Sequence, residues 1–127
     1  MAAAFKKARA TLDDFLVLAK NPPSHLRTIA VKVGLSDKKE TEYFWIVPFR
    51  EESTGFAGRL NNEPRLVKTV TMGQEIRFTK LEIVDWMYVD TLKKKMEGNF
   101  TLCALLTKES REEAAKMKKQ MGIECSF

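Results

Sequence analysis

The stretch YFWIVPF at residues 43–49 decides the fold, because it is apolar on both faces and rich in aromatic and β-branched side chains. Such a run is typical of a strand covered on both sides, so we expect it to form the central strand of a sheet, with Pro48 near its end. Immediately before it, residues 29–35 alternate apolar with polar or small side chains, the pattern of a strand with one buried face. The short polar connection between the two runs predicts that they pair antiparallel.

Further strands are predicted on the C-terminal side of this run. Alternation at residues 56–60 indicates a third strand, and a tight turn at residues 72–74 precedes a fourth. Residues 81–90 predict a fifth strand, although Asp85 then points with the apolar side chains. We therefore expect a twisted antiparallel sheet of about four or five strands within a β-rich core at residues 26–90.

The N-terminal segment carries the pattern of an amphipathic helix. From residue 3 to residue 20, apolar side chains recur every three or four positions, with charged side chains between them. Prolines at 22 and 23 cannot continue the helical hydrogen-bond ladder, so we expect helix and stop to occupy residues 1–22. An isolated helix of this length is marginal in water, which predicts that it docks on the sheet. The side chains expected to dock are those of Phe5, Leu12, Phe15 and Leu16.

The C-terminal part predicts two further helices within residues 101–122. Residues 102–106 lack β-branched side chains, which favours a short helix capped by Thr101, although alternation would also allow a strand. A capping box at Ser110 opens a last helix that is expected to end at Gly122. We therefore predict a single α+β domain over all 127 residues, with N-terminal and C-terminal helices flanking the sheet.

Composition places the chain among globular proteins, with 44% hydrophobic and 31% charged residues. No apolar stretch is long enough to span a membrane, and lysines interrupt the N-terminal apolar residues before a secretory signal could form. The two cysteines, Cys103 and Cys125, form no CxxC motif and no Cys/His cluster. We therefore expect a cytoplasmic protein without a membrane role, in which both cysteines stay reduced and unpaired.

The net charge of +5 permits an acidic partner such as nucleic acid, but the positions of the charges matter more than their sum. In the last helix, acidic residues occupy the first turn and lysines the last, which complements the helix dipole. The run Lys93-Lys94-Lys95 is more typical of a solvated loop than of a binding site. Nucleic-acid binding through these lysines and the last helix is therefore an alternative to the leading hypothesis for function.

Two polar segments are candidates for a binding surface. A turn of amides, carboxylate and proline occupies residues 61–64, and Asp85 precedes Trp86 within an apolar run. If the strands at residues 56–60 and 82–89 end at the same edge of the sheet, both segments would line one shallow pocket. Tryptophan would supply apolar area there, and the polar groups would set orientation. The candidate binding surface consists of Asn61, Asn62, Glu63, Asp85, Trp86 and Tyr88.

Each of these segments also has a purely structural interpretation. The turn at residues 61–64 could serve only to reverse the chain. A buried Asp85 must find hydrogen-bond donors, so it could accept bonds from nearby backbone or from Asn61 and hold the turn to the sheet. Trp86 would then pack as part of the core.

No motif for catalysis or cofactor binding stands out. The single histidine, His25, has no flanking motif, and the glycines form neither GxGxxG nor GxxxxGK[ST]. We predict no catalytic residue, no cofactor and no metal ligand. A small hydrolase or transferase built on Asp85, Glu63 and His25 is the least favoured hypothesis.

Six short motifs stand in order in the middle of the chain. They are Phe44-Trp45-Ile46, Gly55-Phe56-Ala57-Gly58, Asn61-Asn62-Glu63-Pro64, Gly73-Gln74-Glu75-Ile76-Arg77-Phe78, Ile83-Val84-Asp85-Trp86-Met87-Tyr88 and Gly98-Asn99-Phe100-Thr101. Together, over residues 40–107, they resemble the bacterial YegJ-like domain of unknown function. The resemblance implies a bacterial origin and a small α+β fold, and it implies no activity, substrate or cofactor. Similar modules occur alone and beside ankyrin repeats, which by analogy favours interaction over catalysis.

The leading hypothesis is a non-enzymatic protein-interaction module of a bacterial cytosol, a class that includes immunity-like inhibitors of other proteins. It is based on the lack of a catalytic motif and on more aromatic residues than one strand needs. The expected partner is another protein, and the sequence leaves the oligomeric state open.

Overall fold

Two long strands stand at the centre of the sheet in the computed structural model, which describes residues 1–125. β1 (Leu26–Ser36) pairs antiparallel with β2 (Thr41–Glu52), and the register places Val33 opposite Phe44. Both of these side chains are fully buried. The apolar run therefore forms a central strand, as predicted.

The sheet has six strands in the order β4-β3-β2-β1-β5-β6. The remaining strands are β3 (Gly55–Leu60), β4 (Glu75–Phe78), β5 (Ile83–Asp90) and β6 (Lys95–Gly98). This open antiparallel sheet, flanked by N-terminal and C-terminal helices, confirms the predicted α+β class. β2 continues past its expected end at Pro48, because a register shift around the proline lets its pairing with β3 resume.

The expected count of about four or five strands is wrong because it omits the short strand β6. This strand begins at Lys95, inside the lysine run that indicated a loop, and all its residues are half-buried. A strand of four residues without alternating burial carries no period-two signal. Its pairing with β5, which sets Val89 opposite Met96, depends on tertiary contact rather than on local pattern.

The described chain contains the helices α1 (Ala2–Lys20), α2 (Phe100–Leu106) and α3 (Arg111–Met121). α3 begins and ends as predicted, since the Ser110 hydroxyl accepts the N–H of Glu113 at 3.2 Å and Gly122 is left-handed. The short helix α2 is also confirmed, but its cap is Asn99 rather than Thr101. The Thr101 hydroxyl is instead buried and donates to a carboxylate of β5. Within residues 1–125, no helix is both long and apolar enough to cross a membrane.

Close packing divides the chain into two compact units. The first combines Met1–Ile29 with the chain from Asp85 onward, and the second is Ala30–Val84. The largest fully buried side chains of the second unit include Phe44, Ile46 and Leu60.

α1 packs within the first unit through one apolar face. The Phe15 ring stacks on Trp86 of β5 with the ring centroids 4.8 Å apart. Leu12 and Phe15 are buried, whereas Phe5 and Leu16 are half-buried. These contacts confirm that the N-terminal helix docks on the sheet.

The prediction of two free thiols is wrong, because Cys103 and Cys125 form a disulfide with their Cα atoms 5.6 Å apart. Cys103 lies in α2, and Cys125 follows α3 at a separation of 22 residues. No short sequence motif predicts this disulfide, because the two cysteines meet only when the chain after α3 turns back to α2. The expected cytoplasmic location assumed free thiols, and it stays a prediction.

Candidate functional site

Asp85 is fully buried in β5, where its carboxylate accepts four hydrogen bonds. Oδ1 accepts the backbone N–H of Trp86 at 2.8 Å and that of Phe100 at 3.2 Å. Oδ2 accepts both the N–H of Thr101 at 2.9 Å and its hydroxyl at 2.7 Å. Residues 100 and 101 open α2, and the first N–H groups of a helix have no partner within it. Asp85 therefore supplies acceptors to α2 from β5.

Burial raises the pKa of Asp85, because removal from water disfavours the charged form. The hydrogen bonds from Thr101, Trp86 and Phe100 act in the opposite direction and compensate in part. Asp85 is thus buried and bonded to backbone donors, as the structural interpretation expected, but the donors are Trp86 and the first residues of α2 rather than Asn61 of the turn.

Trp86 is half-buried among aromatic side chains of the first unit. Its ring lies 4.8 Å from Phe15 in a stacked arrangement and 5.7 Å from Phe100 in an edge-on one. The indole Nε1 donates a hydrogen bond to the Thr11 hydroxyl at 3.0 Å. Tyr88 continues the stack, with its centroid 5.9 Å from that of Trp86. The ring and the indole N–H of Trp86 therefore already have partners within the first unit.

The turn at residues 61–64 lies in the second unit, where it is bonded to β2. The backbone N–H of Asn61 donates to the Trp45 carbonyl at 2.9 Å, and the Asn62 side-chain oxygen accepts the Trp45 N–H at 2.7 Å. The side chain of Glu63 is exposed. The two amide residues thus extend the pairing of β3 with β2 beyond the end of β3.

The six residues of the candidate binding surface are divided between the two units, with residues 61–63 in the second and Asp85, Trp86 and Tyr88 in the first. The contacts above lie within each unit, and a shared pocket stays a prediction. His25, considered for catalysis, lies with its Nε2 3.7 Å from an Asp90 carboxylate oxygen.

Five lysines from two distant segments line one groove on the first unit, which we call the lysine groove. Its volume is about 470 Å³. Lysines 93–95 come from the turn after β5 and the start of β6, and Lys118 and Lys119 come from the last turn of α3. The other lining residues are Ala115, Gly122, Ile123 and Glu124.

The chain after α3 brings the two groups of lysines together. The Met96 N–H in β6 donates to the Gly122 carbonyl at 2.8 Å, and Met96 pairs with Ile123 in a parallel bridge. Gly122 has a φ of +68°, and a Cβ there would stand 2.8 Å from the Lys94 carbonyl oxygen. Glycine therefore permits both the left-handed turn and the close approach to the lysine turn.

The groove carries an excess of positive charge. Lys95 lies 2.7 Å from Glu124, and this ion pair raises the pKa of the lysine and lowers the pKa of the carboxyl. The other four lysines form no ion pair within residues 1–125. Just before the lysines, Asp90 has a lowered pKa. The main cause is the hydrogen bond from the Lys93 backbone N–H, and the positive charge of Lys93 lowers the pKa less.

In the sequence, lysines 93–95 and the last helix are linked only by the nucleic-acid hypothesis. The groove is not predictable from the sequence, because the run indicates a solvated loop and nothing local connects it to α3. The available signals were the basic last turn of α3 and the glycine that ends it.

Over residues 1–125, the chain matches the model of a family described as "Uncharacterized protein conserved in bacteria (DUF2314)". It is also 33% identical over 121 residues to the uncharacterized protein YegJ of Escherichia coli strain K12, which covers 95% of this chain and 76% of that protein. No solved structure matches the chain significantly. The matches confirm the resemblance and extend it beyond residues 40–107 to both ends of the described chain.

Proposed function

The chain belongs to the bacterial DUF2314 family, described only as uncharacterised, and on that premise we propose a protein-interaction module that binds an acidic segment of a partner protein in the lysine groove. An immunity-like protein, which blocks another protein by binding it, would be one member of this class.

The observation that carries the proposal is the meeting of lysines 93–95 with Lys118 and Lys119 in one groove. Like charges repel, so folding alone gives no reason to gather them. Glu124 is the single acidic residue among the lining residues, and it is already paired with Lys95. A partner carboxylate would meet donors that the described chain leaves without an ion pair, and charge complementarity would also speed its association.

The lining favours an acidic protein segment over nucleic acid. Proteins that hold single-stranded nucleic acid combine positive charge with aromatic or arginine side chains on which bases stack. The lining residues include neither type. Between the lysines lie Ala115, Gly122 and Ile123, which suit the backbone and small side chains of a peptide.

The experiment measures fluorescence anisotropy of a labelled ten-residue glutamate peptide titrated with the protein at low and physiological salt. The test variant is Lys94→Glu/Lys119→Glu, and the matched control is Lys38→Glu/Lys39→Glu, which makes the same charge change at exposed lysines of the second unit. We expect the groove variant to weaken binding about tenfold or more, since each exposed ion pair contributes up to about 1 kcal/mol. The control should bind within about twofold of the wild type.

A labelled single-stranded oligonucleotide is titrated in parallel. Equal loss of peptide binding in the two variants, or no peptide binding by the wild type, would refute the proposal. Groove-dependent binding of the oligonucleotide alone, with a steep salt dependence, would replace it with the nucleic-acid hypothesis.

A further inference from the structure

The disulfide fastens the segment that lines one side of the lysine groove. Gly122, Ile123 and Glu124 all line the groove, and Cys125 follows them directly. Through Cys103, the end of this segment is bonded covalently to α2. The segment at residues 122–125 therefore both lines the groove and carries the disulfide.

α3, which supplies Lys118 and Lys119 to the groove, is weakly held along its length. None of its residues is buried. Its C-terminal end is held by Ile123, which is 3% exposed, by the bond from Met96 to Gly122, and by the Lys95–Glu124 ion pair. An exposed ion pair stabilises little, so the disulfide adds a covalent attachment that is stronger than this pair.

The disulfide is partly exposed on the side of Cys125. Cys103 is 4% exposed, whereas Cys125 is half-buried. Both line a pocket of about 190 Å³ together with Leu106, Thr107 and Lys118. A thiol can reach the pair through this pocket, and the Lys118 ammonium favours a thiolate beside it. Lys118 lines the lysine groove as well, so the two pockets share a side chain.

We propose that the Cys103–Cys125 disulfide is a thiol-exchange site, and that its reduction releases the end of α3 and weakens binding in the lysine groove. The second part rests on the proposed function. The reductant is a dithiol, either a small molecule or the Cys pair of a thiol-disulfide oxidoreductase.

The exchange proceeds in two steps that balance. A dithiol thiolate attacks Sγ of Cys125, the more exposed of the two residues, so that a mixed disulfide forms and Cys103 leaves as a thiolate. The second thiol of the dithiol then attacks the mixed disulfide and releases Cys125 as a thiolate. The dithiol becomes a disulfide, and its two protons neutralise the two cysteine thiolates. Two electrons have passed to the protein.

After reduction, the segment at residues 122–125 keeps only its noncovalent attachments. The end of α3 then separates from the turn at residues 93–95 for part of the time. A groove whose two sides move independently holds fewer lysines at once against an acidic segment, so affinity falls.

The test combines binding with amide hydrogen exchange on the full chain. The oxidised protein, the protein reduced with dithiothreitol, and the variant Cys103→Ser/Cys125→Ser are titrated against the labelled glutamate peptide. We expect the reduced protein and the variant to bind about fivefold to tenfold more weakly, the loss of about one or two ion pairs. Oxidised glutathione should restore the reduced wild type, and neither reagent should change the variant.

Hydrogen exchange gives a readout that does not depend on the peptide. Amides of residues 111–124 should exchange faster in the reduced protein and in the variant, while those of α1 stay as in the oxidised protein. Unchanged exchange in residues 111–124, or peptide binding that is measurable and equally tight in all three forms, would overturn the inference. If the oxidised protein fails to bind the peptide but exchange increases on reduction, the proposed function fails and the thiol-exchange site stands.

Discussion

Two regions of the first unit differ in how their charged side chains are paired. At Asp85, a single buried carboxylate receives four hydrogen bonds, and the neighbouring Trp86 is stacked and hydrogen-bonded. In the lysine groove, five lysines stand around one carboxylate, and four of them form no ion pair within the described residues. The charge of the first region is fully hydrogen-bonded within the chain, whereas most of the charge of the second region has no ion-pair partner there.

Asp85 and Trp86 stand out in the sequence but are satisfied within the fold, whereas the lysines stand out only in the structure. Asp85 and Trp86 attract attention in the sequence because a carboxylate in an apolar run is costly unless donors meet it. The structure supplies those donors from the chain itself. The lysines attract less attention, because each is ordinary on its own, yet their gathering is the feature that folding leaves unexplained.

The largest effect is expected for Trp86→Ala, which removes the ring that joins α1 and α2 to β5. Loss of its stacking with Phe15 and its bond to Thr11 should lower the free energy of unfolding by about 3 kcal/mol. Urea denaturation followed by circular dichroism measures this loss. A melting temperature close to that of the wild type, with binding of the partner abolished, would instead support the binding role predicted for Trp86.

Asn62→Ala is the matched variant for that alternative. It removes one hydrogen bond to the Trp45 N–H and should cost about 1 kcal/mol. Large destabilisation by Trp86→Ala together with full partner binding by Asn62→Ala would contradict the shared pocket of residues 61–63 with Asp85, Trp86 and Tyr88.

Asp85→Asn should have the next largest effect. An amide offers one acceptor oxygen in place of two, so its NH₂ group would face buried donors, at a cost of about 2 kcal/mol in the free energy of unfolding. The exposed Asp14→Asn on α1 is the control, and it should leave stability almost unchanged. Equal stability of the two variants would show that the four bonds to Asp85 contribute little.

The same pair of variants reports on pH. Because burial raises the pKa of Asp85 above its ordinary value of 3.8, the folded chain keeps this proton to a higher pH than the unfolded chain. The contribution of Asp85 to stability is therefore greatest at acid pH and declines as pH rises through the raised pKa. Asp85→Asn should lack this decline, which unfolding curves across a pH series would detect.

The smallest effect on stability is expected for Lys119→Ala in the lysine groove. Its side chain is exposed and forms no ion pair within residues 1–125, so the free energy of unfolding should change by less than about 0.5 kcal/mol. Thermal denaturation measures it against the wild type. A loss as large as that of Asp85→Asn would mean that the lysines hold the fold together, and the contrast between the two regions would disappear.

Several elements could be predicted because their signals are local. α1 and α3 follow from helical periodicity, from the prolines after α1, and from the Ser110 and Gly122 caps of α3. β1 and β2 follow from alternation and from the apolar run at residues 43–49. Each signal lies within a few residues of the structure it specifies, so it can be interpreted without the tertiary structure.

Other features depend on segments that are far apart in the chain. β6 has no periodic pattern of its own. Thr101 was expected to cap α2 but instead donates to Asp85, because β5 lies beside the start of α2. Cys103 meets Cys125 only after the chain that follows α3 folds back. The candidate site divides in the same way. Charge at residues 93–95 and in the last turn of α3 is written in the sequence, but their meeting in one groove depends on the Gly122 turn and its bond to β6. Local backbone and side-chain preferences act over a few residues, whereas long-range contacts form only in the packed chain.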